Sequence, residues 1–510
     1  MLFSVGFTVN YNAMHLRQIL RKTLTTSAVA LLGMSMQINA QTPTDSVGKS
    51  LTYDVEHIGK QGLPSEEGIG EKALASPIPG AWLYNPDHLQ TSPSEDRWWK
   101  EFGDPTLNLL INRAESNNYN VAAAMKRIQL AKKEMDLTKS GYYPTLGISA
   151  GWSGSQVAGA SANTVVPSSR SSSYSLGLNM SWEIDVFGRI KRQLDADKAA
   201  VNVSRADYDA VMVSLCADVA KTYMQLRTYQ MQYQVAQEHI KSQERVLKIT
   251  EARQEAGIGD MLEVTQAKIV LYSTQSSIPA LESSIRTTAN ALAVLTGVYP
   301  AELVPELLKP GVLPKDMGMP AVGVPVDLLR RRPDIVEAEA QLAQYAAMIG
   351  VAKSDFLPVL SLDGSIGTSA HNIKNMFGAH SLDYSIGPKL SWTIFDGMAR
   401  NVKVAEAKIQ LEEATDNYNL TVLNAIEEVE NAISRYNGTL KEIEYLNNLI
   451  DQSKKSLELS LDLYKQGLTA FSNVVDAQQS YLEYQNSLVS SRGNALSQLV
   501  NLYQALGGGY

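Results

Sequence analysis

One cysteine in 510 residues, Cys216, rules out an internal disulfide framework. Cys216 falls within the apolar pattern of a helix and reads as a small buried hydrophobe rather than a reactive thiol. Histidine is also scarce. The six, at 15, 57, 88, 239, 371 and 380, show no His-x-x-His or HExxH spacing. No cysteine cluster joins them, so neither a metal site nor a cofactor is expected. A phosphate-binding GxxxxGK loop is missing too, and the chain is not read as an enzyme. There is no basic surplus: 45 Lys and Arg stand against 53 Asp and Glu, a net charge of −8. Such a chain is a poor candidate for nucleic acid. Its basic run, Arg330-Arg331-Arg332, reads as a solvated or ion-paired turn. Long hydrophobic runs are lacking as well, since no segment approaches the roughly 18 apolar residues of a spanning helix.

The start of the chain reads as a secretory signal over 1–40, with Met14 as an alternative start. Arg17, Arg21 and Lys22 form the charged end, Ala28–Met34 the apolar stretch, and Ile38-Asn39-Ala40 the cleavage site. Residues 41–95 are polar and rich in Pro, Gly and Ser, and read as an extended arm.

What is present is a pattern stated twice, about 210 residues apart. Tyr174-x-Leu176-x-Leu178-x-Met180-x-Trp182-x-Ile184 is matched by Tyr384-x-Ile386-x-Pro388-x-Leu390-x-Trp392-x-Ile394. Both alternate with the period of a strand that has one apolar face. Each copy leads into about 65 residues without proline, a helix near 100 Å long, and then into a glycine turn at Gly257 or Gly467. Repeat 1 spans 96–299, with strands at about 144–184. Residues 300–325 form a proline-rich crossover. Repeat 2 spans 326–510, with strands at about 358–395.

Within repeat 1, Asp104 caps and Pro105 opens a helix expected to run unbroken to Ser140. The Ser/Ala/Gly-rich stretch 153–173 is expected to be a long exposed loop between two outer-membrane-type strands. In repeat 2 the strands are placed at 359–368 and 384–394, with a loop at 369–382. The helix over 400–465 carries Val422, Val429, Tyr436, Ile443, Ile450, Leu457 and Tyr464 every seven residues. That period implies a left-handed coiled coil. Four membrane-type strands per chain cannot close alone. An open sheet in lipid leaves backbone groups unsatisfied, and eight strands is about the smallest barrel, so at least two chains are required.

Leu328-Leu329-Arg330-Arg331-Arg332-Pro333-Asp334-Ile335 with Ala338-Glu339-Ala340, Ile349-Gly350 and Phe356-Leu357-Pro358 resembles the hallmark of the outer membrane efflux proteins. These are the TolC-like and OprM/NodT-like factors of tripartite pumps. Trp98-Trp99, Asp104-Pro105, Trp182-x-Ile184-Asp185-x-Phe187-Gly188 and Leu502-Tyr503-x-Ala505-Leu506 match the same family. The resemblance implies an α+β membrane protein in the outer membrane of a Gram-negative cell. It also implies a homotrimer with a twelve-strand β-barrel, four strands per chain, continued by a long periplasmic helical barrel. Its implied partners are a periplasmic adaptor (membrane fusion) protein, an inner-membrane RND-type or ABC transporter, and outer-membrane lipid. Many relatives carry a lipidated cysteine after the signal, whereas Gln41 stands here, so a lipid anchor is not expected.

Carried over residue by residue, Asp476 falls on the family's gate aspartate. Asn473 and Thr469 share that level, in places where some relatives carry an acid and an arginine. Tyr464 and Glu263 form an expected latch across the helix pairs. Gly257, Gly259 and Gly467 mark the tip turns expected to meet the adaptor. The expected function is exit channel of an efflux system. The rival readings are a conduit for type I protein secretion and a coiled-coil envelope protein.

Overall fold

The computed structural model describes residues 72–83, 97–157, 160–161, 164–165, 169–314, 325–378 and 380–509. The expected signal, most of the arm and part of the crossover lie outside them.

Repeat 1 opens with a short 3-10 turn, Trp98–Phe102, then α1 (Pro105–Asn117) and α2 (Tyr119–Ser140). Asp104 caps α1 by accepting from Thr106 N and Leu107 N. The unbroken helix expected to Ser140 is corrected here, because Asn118 adopts an extended conformation (φ −68°, ψ 129°) and caps a new helix. Its side-chain oxygen accepts from Asn120 N at 2.7 Å, while its Nδ2 donates to Leu295 O at 2.8 Å. A distant carbonyl therefore decides the break, and local propensity does not contain that information.

Strands β1 (Thr145–Val157) and β2 (Ser169–Ile184) follow. The expected loop 153–173 is in large part strand. The hairpin keeps its register out to Val157 paired with Ser169, with Ser155 Oγ 3.1 Å from Ser171 Oγ. Serine and glycine read as loop by composition, yet here they continue the ladder, and Ala160–Ser161 pairs with Thr164–Val165 beyond it. Next come α3 (Arg189–Glu255, 67 residues), α4 (Met261–Leu295, 35 residues) and α5 (Pro300–Leu307). Pro300 opens α5 at a position where a missing N–H costs nothing, so the crossover is not purely extended.

Repeat 2 supplies α6 (Pro333–Ser354), β3 (Val359–Ala370), β4 (Leu382–Ser391), α7 (Ala399–Lys465, 67 residues) and α8 (Phe471–Ala505, 35 residues). The strand expected to reach Ile394 stops at Ser391, and its partner extends to Ala370. Trp392 lies beyond the strand, where its indole donates to Phe356 O at 3.0 Å.

The four long strands form one antiparallel sheet in the order β1-β2-β3-β4. The register aligns apolar residues in rows: Ile148, Leu178, Ile366 and Tyr384 lie abreast. All four are exposed. The other face is small and polar. On it Asn179 Nδ2 donates to Ser149 Oγ at 2.9 Å, and Ser181 Oγ donates to Asp363 Oδ1 at 2.8 Å.

Helix α3 packs against α2, α4, α6 and α8, and α7 pairs with α6 and α8. The seven-residue stripe on α7 is the buried one: Val422, Val429, Tyr436, Ile443, Leu457 and Tyr464 are all inside, with Ile450 half-buried. Cys216 is buried, and burial followed by the nearby Glu115 pushes its thiol up to about 12, so it packs rather than reacts. Arg332 is buried as well. It pairs with Asp334 and Glu428, each at 2.7 Å, and donates to Ala505 O at 2.8 Å. From the arm, Ala73 and Trp82 are buried against the α6–α7 core. Asn419 of α7 holds that segment at both ends of its amide, donating to Ala73 O and accepting from Ala75 N.

Candidate functional site: the paired helix tips

The two long hairpins end in turns built alike. Gly257 and Gly467 adopt φ of 73° and 74°, a left-handed conformation that glycine takes without penalty. Ile258 N then donates to Arg253 O, and Leu468 N to Leu463 O, both at 2.9 Å. Each pattern satisfies orphan carbonyls at a helix end. Both turns present an exposed aliphatic side chain at their apex, Ile258 at 70% and Leu468 at 69%. Asp260 caps α4.

Behind the turns the two hairpins share a small core. Val246, Ala267, Tyr464, Phe471 and Val474 pack together, drawing on α3, α4, α7 and α8. Tyr464 is its centre. The Tyr464 ring lies 5.1 Å from Phe471, and its hydroxyl donates to Glu263 Oε2 at 2.7 Å. Burial, and then that hydrogen bond, push the phenol up to about 12, so it stays a neutral donor at any physiological pH. The two residues carried over as a latch are therefore in contact. They come from opposite hairpins, 201 residues apart.

Asn473 and Asp476 fall on one face of the start of α8, three residues apart, and Thr469 sits in the turn just before the helix. Asn473 Nδ2 donates to Thr469 Oγ1 at 2.6 Å. With Ser456 and Ser460 of α7 they line an open groove of about 600 Å³ between the two helices. Asp476 is exposed in it. The groove has the chemistry of a polar wall with one carboxylate. It is not an enclosed pocket for a small molecule.

Sequence reasoning missed Arg253. Its guanidinium carbon lies 4.8 Å from the Tyr464 ring centroid. An arginine in the last turn of a helix reads as an ordinary response to the helix dipole, and nothing in its spacing marks a ring 211 residues away.

A sheet with an exposed apolar face, continued by helices of 67 residues, defines the class: an outer-membrane channel component with a long extramembrane part. The family model described as outer membrane efflux protein matches residues 110–298 and 324–508, and the chain belongs to that family. It is similar to nodulation protein T of Rhizobium leguminosarum bv. trifolii, 30% identical over 419 residues, 81% of this chain and 88% of the relative. It is also similar to the pyoverdine export outer membrane protein OpmQ of Pseudomonas putida, 28% identical, over 85% of this chain and 92% of that one. Among solved structures, the outer-membrane channel OprN matches with a TM-score of 0.77 and 31% identity, covering 85% of this chain and 97% of its own. The protein is thus an outer-membrane efflux channel component with a large periplasmic portion.

Proposed function

We propose that three copies of this chain form the exit duct of a tripartite efflux system. The observation that carries this is the sheet: four strands in sequence order, with β1 and β4 both left as open edges. Hydrocarbon does not tolerate open edges, so copies must join edge to edge, and three of them make a twelve-strand barrel wide enough for a lumen. Helix α7 supports the same reading. Val402, Ile409 and Leu423 stand exposed at multiples of seven residues, interrupted by Asp416, and these apolar side chains have no cover in a single chain. The exposed Ile258 and Leu468, presented by Gly257, Gly259 and Gly467, suit docking to a periplasmic adaptor, and through it to an inner-membrane RND-type or ABC pump. The cargo in relatives' names is small, pyoverdine for OpmQ and cations for CusC of Escherichia coli, which favours small-solute efflux over protein secretion.

In this reading the groove faces the axis. Three Asp476 carboxylates then share one level, beside Asn473 and Thr469, and form a cation-selective constriction. The Tyr464–Glu263 bond ties the α7–α8 hairpin to the α3–α4 hairpin and keeps the constriction shut. The test is conductance of the purified protein in a planar bilayer under a salt gradient. Wild type should show a small, cation-selective conductance, and Asp476→Ala should lose the selectivity. Equal selectivity in both would remove Asp476 from the narrowest level.

A further inference from the structure

From the tip geometry we infer that Arg253 is a positioning residue of the closed channel, seating Tyr464 for its bond to Glu263. The second hairpin is thereby held by both helices of the first. The inference rests on the latch reading above and extends it to a residue on a third helix.

Tyr464 offers one polar atom and two ring faces. The hydroxyl is taken by Glu263 of α4 at 2.7 Å, and Phe471 packs at 5.1 Å. The ring is also buried among Val246, Ala267, Phe471 and Val474. Arg253 of α3 adds to that seat in two ways. Its guanidinium covers the ring, with the central carbon 4.8 Å from the centroid. A cation over the π-face and a carboxylate at the hydroxyl are each placed where the phenol's charge distribution favours them. One guanidinium nitrogen also donates to Lys465 O at 3.4 Å. Lys465 is the last residue of α7, and its carbonyl belongs to the orphaned, negative end of that helix. Arg253 therefore grips residue 464 by its ring and residue 465 by its backbone.

The jaw is itself fixed. Arg253 O accepts from both Ile258 N and Gly259 N, at 2.9 and 3.0 Å, so the turn sets the backbone from which the side chain projects. Gly259 lies between the two jaw residues. A Cβ there would stand 3.1 Å from Glu263 Oε2 and 3.2 Å from Arg253 Cβ. No carboxylate lies within ion-pair distance of Arg253 among the described residues, and its Nε is buried without a hydrogen-bond partner. The ring and the Lys465 carbonyl are what hold it. The planar fork of arginine suits a ring and a carbonyl together, and the ammonium of lysine suits them less well.

The experiment is a conductance cycle in planar bilayers on wild type, Arg253→Ala, Arg253→Lys, Tyr464→Ala and the Arg253→Ala/Tyr464→Ala double variant. Each is first checked for the same heat-resistant oligomer on a gel. Arg253→Ala should raise conductance several-fold, toward the level of Tyr464→Ala. The double variant should conduct no more than Tyr464→Ala alone, and Arg253→Lys should fall between wild type and Arg253→Ala. A folded Arg253→Ala that conducts like wild type, while Tyr464→Ala opens, overturns the inference and leaves the latch standing. So does an Arg253→Ala effect that persists in full in the Tyr464→Ala background, which marks a merely structural role. Tyr464→Ala conducting like wild type would sink the latch, and the inference with it. Should Arg253→Ala not assemble, Arg253→Gln, which keeps donors and loses charge, is read in its place.

Discussion

Asn118 and Arg332 make the same bond with different chemistry. Each precedes a 22-residue helix, and each donates at 2.8 Å to the last carbonyl of a 35-residue helix, Leu295 O in one half and Ala505 O in the other. Two tryptophans follow suit: Trp182 donates to Tyr142 O at 2.9 Å and Trp392 to Phe356 O at 3.0 Å. The halves thus agree at their joints, where helix ends meet and where strands give way to helices. At the tips the glycine turns match but the side chains around them do not. Positions 210 residues from Arg253, Glu263, Tyr464 and Asp476 hold Leu463, Asn473, Gln254 and Gln266. A shared frame keeps its fastenings in both copies. The differences gather at the tips, where one half carries Arg253 and Glu263 and the other Tyr464 and the exposed Asp476.

The largest test of the shared joints is at the glycines that follow the 35-residue helices. Gly297 and Gly507 have φ of 69° and 97°, and a Cβ would stand 2.3 Å from Asn117 O in the first case and 2.8 Å from Arg331 O in the second. Gly297→Ala should cost more than about 2 kcal/mol, and Gly507→Ala less. Thermal unfolding of the two variants side by side measures this. A larger loss at Gly507 would mean that close approach does not grade the joints.

A smaller effect is expected where α3 and α7 begin. Gly188 there has φ 77°, but its counterpart is Met398 at φ 72°. Gly397, the glycine that matches by motif, is itself left-handed at φ 67° and sits one residue before Met398, which holds the cap position. Met398→Gly should stabilise the protein by about 0.5–1 kcal/mol, the relief of a left-handed side chain less the added freedom of glycine when unfolded. Denaturant midpoints decide it, and a destabilised variant would show that the methionine's packing outweighs its strain.

The smallest expected effect concerns His239 on α3, whose position in the other long helix is filled by Leu449. His239 Nε2 lies 2.6 Å from Gln485 Oε1, its ring is 5.2 Å from Tyr481, and Glu238 is its charged neighbour. Burial, opposed by the Gln485 bond and Glu238, lowers its affinity for a proton below the ordinary value. As pH falls through about 6.5 the unfolded chain then takes up this proton before the folded one does, so stability declines toward acid. His239→Leu should flatten that slope between about pH 7.5 and 5.5. The same slope in both proteins would assign it to other groups.

Much of this frame was legible in the residues. Proline-free runs and the seven-residue stripe from Val422 to Tyr464 place the long helices, and strict alternation places the strands. What was not legible depends on distant partners. Asn118 breaks a helix because Leu295 O is near, and Ser155 extends a strand because Ser171 is opposite. At the site, the pairing of Tyr464 with Glu263 came from resemblance rather than from spacing. Arg253 carried no signal at all, because a ring and a carbonyl are partners that a sequence does not advertise.

The clasp of Asn419 on residues 73 and 75 has a consequence for how the molecule assembles. Its bonds join groups 346 and 344 residues apart, and Tyr503 reaches Glu101 across 402. Residues within the first hundred or so have partners that are made nearly last. Until α7 and α8 exist, Trp82 lacks the α7 side of its cluster and Trp98 lacks Tyr503, the ring it stacks on, and contacts of such long range are slow to form. The newborn chain therefore carries incompletely covered indoles in its first hundred residues through most of its synthesis, and that region is where an escorting chaperone has the most to shield.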